Sequence, residues 1–207
     1  MAATTTGPRR RISREARRAK LIAAAEAVFG EVGYAGATME LIAARGGVTR
    51  SLLYEHFTSL DDLYVECVRS ARAELDARLL EASVLHQGQP ERQLRAGMTA
   101  YFQFVSDHGA SWEVLAGTTS LPAGEVGSVA AELRFRSAEL IAALFMQVAP
   151  SIDPDEAHAG AHIVSGGGEQ LARWWRRNPQ VPLETVVEHL MTAVWPGLRI
   201  RLEQAST

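Results

Sequence analysis

Between residues 38 and 56 the chain carries Thr38, Thr49, Arg50, Ser51, Tyr54 and His56, six hydrogen-bonding side chains within a short stretch. Hydroxyls, a phenol, an imidazole and a guanidinium are groups that grip phosphate oxygens, and a guanidinium can also take both acceptors on the edge of a guanine. The charge distribution fits such chemistry. The net charge is −3, but residues 1–50 hold nine Lys/Arg against four Asp/Glu, whereas the remainder holds 12 against 20. A basic N-terminal end on an acidic body suits a polyanion-binding module attached to something that should stay off the polyanion. Turnover chemistry has no comparable signal. There is no glycine-rich phosphate loop, no nucleophile elbow and no cysteine–histidine pairing with a supporting motif. Neither a catalytic residue nor a cofactor is expected.

These side chains need elements to hold them. Apolar residues recur at helical spacing almost throughout, and alternating Val/Ile/Thr runs are missing, so the fold expected is all-α. A first helix is predicted over Glu15 to Val32, closed by Gly33. A short helix from Met39 to Arg45 ends at Gly46-Gly47, and a second from Thr49 reaches about His56. Two short helices across a tight glycine turn form a helix-turn-helix. Met39, Ile42, Ala43, Val48, Leu52, Leu53 and Phe57 would pack inward with Val28 and Phe29, leaving Thr49, Arg50, Ser51, Tyr54 and His56 mostly outward. Ser59 followed by Asp61 and Asp62 starts a long helix past Arg78. Further helices are predicted over 91–107, 125–148, 154–177 and 183–203, with Pro196 expected to kink the last.

The run Gly36-x-Thr38-Met39-x-x-Ile42-Ala43-x-x-x-Gly47-Val48-Thr49-x-x-x-Leu53-Tyr54-x-His56-Phe57-x-x-x-Asp61-x-Leu63 resembles the N-terminal signature of the TetR family. Ile22-x-x-Ala25-x-x-x-Phe29-x-x-x-Gly33-Tyr34 resembles the family's first helix. The resemblance implies a transcriptional regulator, most often a repressor, that binds a palindromic DNA operator as a homodimer and is released by a small molecule. It implies that Thr38, Thr49, Tyr54 and His56 hold backbone phosphates, while Arg50 and Ser51 face bases in the major groove. Two positions depart from the family. Ser51 stands where glycine is common, which bears on how closely the helix enters the groove. Leu60 stands where lysine is usual, removing a phosphate contact. Those departures keep a second class open, a helical adaptor with weakened DNA binding; a helical enzyme is the third.

The expected organisation is a disordered basic arm over 1–12, a DNA-binding domain over 13–60 with three helices, and a larger helical ligand-binding and dimerisation domain over 61–207. Met98, Tyr101, Phe102 and Val105 form one candidate pocket wall, with Trp112, Phe135 and Leu140 as others and His162 as a polar group. Their aromatic character suggests an apolar or aromatic inducer. Ser165-Gly166-Gly167-Gly168 sits inside a helical pattern, where each glycine costs about 1 kcal/mol relative to alanine unless another helix packs close. Gly166, Gly167, Leu171, Trp174, Leu190 and Val194 are therefore the candidate dimer interface. His158 and His162 share a helix face but lack a third ligand, so no metal is expected. The single cysteine, Cys67, reads as a buried structural thiol, and with no disulfide possible a cytoplasmic setting is expected. No apolar run approaches the roughly 18–20 residues that span a bilayer, and no apolar core follows Arg9, Arg10 and Arg11 as a secretory signal would require.

Overall fold

A computed structural model describes residues 13–116 and 125–205. The expected arm over 1–12, with Arg9, Arg10 and Arg11, lies outside the described residues. Among the described residues the elements are helices: α1 (Arg14–Gly36), α2 (Met39–Gly46), α3 (Arg50–Tyr54), α4 (Leu60–Val84), α5 (Pro90–Asp107), α6 (Gly109–Ala116), α7 (Glu125–Val148), α8 (Pro154–Arg176) and α9 (Leu183–Gln204). No strand occurs among them.

Local chemistry explains the starts. Ser13, Thr38, Thr49 and Ser59 each sit just before a helix and accept a hydrogen bond from the backbone N–H three residues on, at 3.0–3.2 Å. That satisfies one of the amides a helix N-terminus leaves unpaired. Gly47 closes α2 with φ 63° and ψ 34°, a left-handed conformation that glycine adopts without a Cβ penalty. The turn it makes sends the chain straight into Val48, Thr49 and α3.

The first three helices close around Leu21, Ala25, Val28, Ile42, Leu53 and Phe57, all buried. The Phe29 and Tyr64 rings meet edge to face at 5.0 Å, and Tyr34 meets Tyr64 at 5.0 Å. Tyr34 donates its hydroxyl to the Asp61 carboxylate; burial and that carboxylate push its pKa up to about 12. These contacts tie the end of α1 to the start of α4. Cys67 is buried on α4, with Sγ 3.8 Å from the Ile22 carbonyl of α1.

α4 has 25 residues, a rod of roughly 37 Å. It packs on α1 near its start and on α5, α6 and α7 beyond. The expected division at 60/61 falls at its first residue, so one helix serves both parts. The rest is layered around it: α7 on α8, α8 on α9, and α9 on α5.

Pro196 lies inside α9, within the expected range. Two details differ from the expected elements. α1 continues past Val32 to Gly36, with Gly33 (φ 70°, ψ 174°) interrupting rather than ending it. A helix absent from the expectations, α6, restarts at Gly109 after His108 leaves helical geometry at φ −125° and ψ 47°.

Candidate nucleic-acid interface and helical body

Thr38, Thr49, Arg50, Ser51 and Tyr54 are exposed, and His56 is partly buried beside Phe57. The α2–α3 turn sets Arg50, at the start of α3, against Glu40 in the first turn of α2. Thr38 and Thr49 use their oxygens as caps for Leu41 N–H and Leu52 N–H, so each hydroxyl keeps its proton to donate outward. The remaining amides of each first turn, with the positive end of the helix dipole, favour an anion at the same place.

Arg50 opens α3. Its guanidinium lies over the Tyr54 ring at 5.3 Å, donates to the Tyr54 hydroxyl at 3.3 Å and pairs with Glu40 of α2. Arg50 and Glu40 are both more than half exposed. Exposed ion pairs contribute little, so exchanging Glu40 for a phosphate or a guanine edge costs little. Tyr54 is 42% exposed; its ring is the plate on which Arg50 rests, and its hydroxyl, which accepts from Arg50, keeps a proton to give. Leu60, at the start of α4, packs against the core rather than standing free.

The body holds two adjoining cavities, with ≈ 630 and ≈ 650 Å³ of non-atom space, part of it open to solvent. Met98, Tyr101 and Trp112 line the inner one together with Arg72, Ser137 and Glu169. Leu140 lines the outer one, with Met98 at the junction. Phe102 and Val105 are fully buried but line neither cavity; Phe102 packs edge-on against Tyr101 and Trp175. His162 is exposed on α8. The Phe135 side chain lies outside the described residues.

Residues 21–67 match the family described as "Bacterial regulatory proteins, tetR family", and residues 90–197 match "Tetracyclin repressor-like, C-terminal domain". The chain belongs to the TetR family. Among curated proteins it is 29% identical over 193 residues to the HTH-type transcriptional activator FasR of Mycolicibacterium smegmatis, covering 91% of this chain and 85% of that one. Among solved structures, a TetR-like transcriptional regulator from Rhodococcus sp. RHA1 superposes with a TM-score of 0.75 at 27% identity, over 91% of this chain and 99% of that chain. AibR shares the fold, with a TM-score of 0.73 at 18% identity over 87% and 98% of the two chains. A TetR-family regulator is a DNA-binding protein with the two parts seen here, a helix-turn-helix unit and a helical body. No described helix is long and apolar enough to cross a membrane.

In this TetR-type body, α8 presents Gly166 and Trp174 to solvent, and Ile163 on the same side is 65% exposed. Leu171 and Val194 are half-buried. Leu190 is already buried within the chain, where a Cβ on Gly167 would meet its side chain at 3.4 Å. Three residues went unread in the sequence. Arg72 is only 3% exposed, held by Asp76 and by Ser137 Oγ. Its signal was position: it falls on the buried α4 stripe between Val68 and Leu75, with a carboxylate four residues on. Glu26 and Ser111, bonded at 2.7 Å between α1 and α6, carried no such mark, because α6 itself was not expected.

Proposed function

We propose that this TetR-family chain is a ligand-responsive regulator that binds a palindromic operator as a homodimer, through Thr38, Thr49, Arg50, Ser51, Tyr54 and His56. The observation that carries the reading is the pair of threonine-capped helix starts, α2 and α3, with Arg50 braced on Tyr54 between them. Threonine hydroxyls and first-turn amides fix the protein on phosphates, and Arg50 reads a base. Ser51 keeps the first turn small enough for close entry. The division of labour follows the helices: 13–60 for DNA, 61–207 for ligand and dimer.

The small molecule enters the cavities beside Met98, Tyr101, Trp112 and Leu140, and is apolar over most of its length. AibR is described in complex with isovaleryl coenzyme A and operator DNA, a regulator of this fold that takes both kinds of partner. In this chain α6 supports a route between the two. Trp112 lines the inner cavity and donates to Tyr101 at 2.9 Å, while its neighbour Ser111 donates to Glu26 of α1. A ligand that displaces Trp112 shifts the contact that holds α1, favouring a state in which the recognition helices no longer match the groove. Repression is the default we assign, since a dimer bound over a promoter excludes polymerase. A relative is named an activator, and operator position decides between the two.

The test is a mobility shift with the DNA flanking the chain's own gene. Binding should weaken steeply with salt, and Arg50→Ala should cost about 1–3 kcal/mol, roughly 5- to 150-fold, on that DNA. Salt-sensitive binding that survives both Arg50→Ala and Tyr54→Phe would sink the recognition-helix assignment.

A further inference from the structure

The two cavities of the body adjoin. Leu79, Met98, Ser137 and Ile141 line both of them and so stand between an inner and an outer chamber. Pro90, Val148, Trp195 and Leu202 in turn line both the outer chamber and a surface cleft edged by Glu91, Arg92, Arg199 and Glu203. Taken as one passage, they run from solvent, past Trp195, through an apolar middle walled by Leu94, Leu144 and Phe145, to an inner end at Arg72, Tyr101 and Trp112.

The inner end has a surplus of donors. Tyr101 Oη already accepts from Trp112 Nε1 at 2.9 Å, and burial pushes the Tyr101 pKa well up, so its hydroxyl keeps a proton to give. Ser137 Oγ already accepts from Arg72 Nη1 and is left in the same state. Arg72 Nε, buried, has no hydrogen-bond partner. The one carboxylate on this wall, Glu169, is taken by Arg173 at 2.6 Å. A buried donor without an acceptor is costly, and an apolar molecule would leave these donors unanswered.

We infer that the passage takes an elongated apolar molecule whose leading end carries an oxygen acceptor, a carbonyl or a carboxylate, held by the Tyr101 and Ser137 hydroxyls beside Arg72. The apolar chain fills the outer chamber and its trailing end reaches the cleft. This rests on reading the body as the sensing domain, and it sharpens that reading to a chemical class. An oxygen at the leading end answers both hydroxyl protons while each hydroxyl oxygen keeps the bond it already accepts. A cationic end would lie beside the Arg72 guanidinium, and the one carboxylate of the chamber, Glu169, is already paired with Arg173.

Three ten-carbon probes separate the cases: 2-decanone, decanoate and decylammonium, titrated against the full-length protein with tryptophan fluorescence and thermal unfolding as readouts. Trp112 and Trp195 stand at the two ends of the passage, so occupancy changes the emission. At least one oxygen-bearing probe should saturate and raise Tm, while decylammonium should do neither. Saturation by 2-decanone alone assigns a neutral carbonyl, and saturation by decanoate assigns a carboxylate. The double variant Tyr101→Phe/Ser137→Ala should weaken that probe roughly tenfold or more, since both hydrogen bonds to its oxygen are lost. Leu144→Trp, which keeps every donor and fills the outer chamber, should abolish binding. The inference is overturned if neither oxygen-bearing probe binds, if decylammonium binds as tightly, or if either variant binds like the native chain. None of these readouts involves DNA. Probes that bind yet never release DNA would count against the regulatory reading alone.

Discussion

Glu26 sits 8% exposed on α1 with Ser111 as its hydrogen-bond donor. Burial raises its pKa above the ordinary carboxylate value, and the Ser111 bond only partly counters this. The sign follows from linkage. Between the ordinary value and the raised one, the folded chain binds more protons than the unfolded chain, so stability falls as pH climbs through that window. Glu26→Gln keeps an acceptor for Ser111 and removes the titration. Thermal unfolding from pH 4 to pH 8 should show the variant gaining on the native protein as pH rises, with the two converging near pH 4; parallel curves would mean that Glu26 is not held as described. Legibility at this scale divides sharply. Thr38, Thr49, Arg50 and Tyr54 could be read because a helix-turn-helix fixes which positions face out, and all four are exposed. Glu26 and Arg72 could not, because a charged residue in a helical pattern reads as solvated surface unless its partners, Ser111 and Asp76, are known to be opposite it.

The element that matters most between the two parts is α6, eight residues long. Its backbone comes close to α1: a Cβ built on Gly30 would meet Ala110 Cα at 3.4 Å, which is ordinary contact for one carbon and too near for a branched side chain. Gly30→Ala should leave stability and DNA affinity almost unchanged. Gly30→Leu should wedge the helices apart, lose about 1–3 kcal/mol in denaturant titration and shift DNA affinity, because α1 supports α2 and α4. Equal behaviour of the two variants would show that α1 and α6 do not bear on one another. The long helices were legible from apolar spacing, caps and proline breaks, and the predicted ranges 125–148 and 154–177 fall within a residue of α7 and α8. α6 was not, because Gly109 reads as a stop in sequence and acts as a start once His108 has broken α5. α1 overran its expected end for a related reason: Gly33 takes a positive φ and the helix resumes beyond it.

At the scale of the molecule, the side of α8 bearing Ile163, Gly166 and Trp174 is the surface we propose for a second copy. Ile163 at 65% and Trp174 at 38% exposure are large apolar groups with water on them. Ile163→Asp should therefore convert a dimer into monomers by analytical ultracentrifugation and, with half of a palindrome released, lower operator affinity by more than Arg50→Ala does. A dimer that persists in Ile163→Asp would move the interface elsewhere. Of the six interface residues read from the sequence, Leu190 was indistinguishable from a surface leucine, since only the three-dimensional packing reveals that Gly167 and Gly168 admit it to the chain's own core. Cys67 adds something practical to this picture. It is the chain's single cysteine, enclosed between α1 and α4, and burial lifts its thiol well above the ordinary range. A thiol in that state has little thiolate and no access to reagent. The Cys67 thiol should thus be deaf to peroxides and electrophiles, and any cysteine placed on the surface becomes the sole reactive thiol. A spin label at position 55, next to the recognition helix, would then appear once per subunit, and the label-to-label distance would report directly whether the two reading heads stand the about 34–36 Å apart that successive major grooves demand, with and without a bound small molecule.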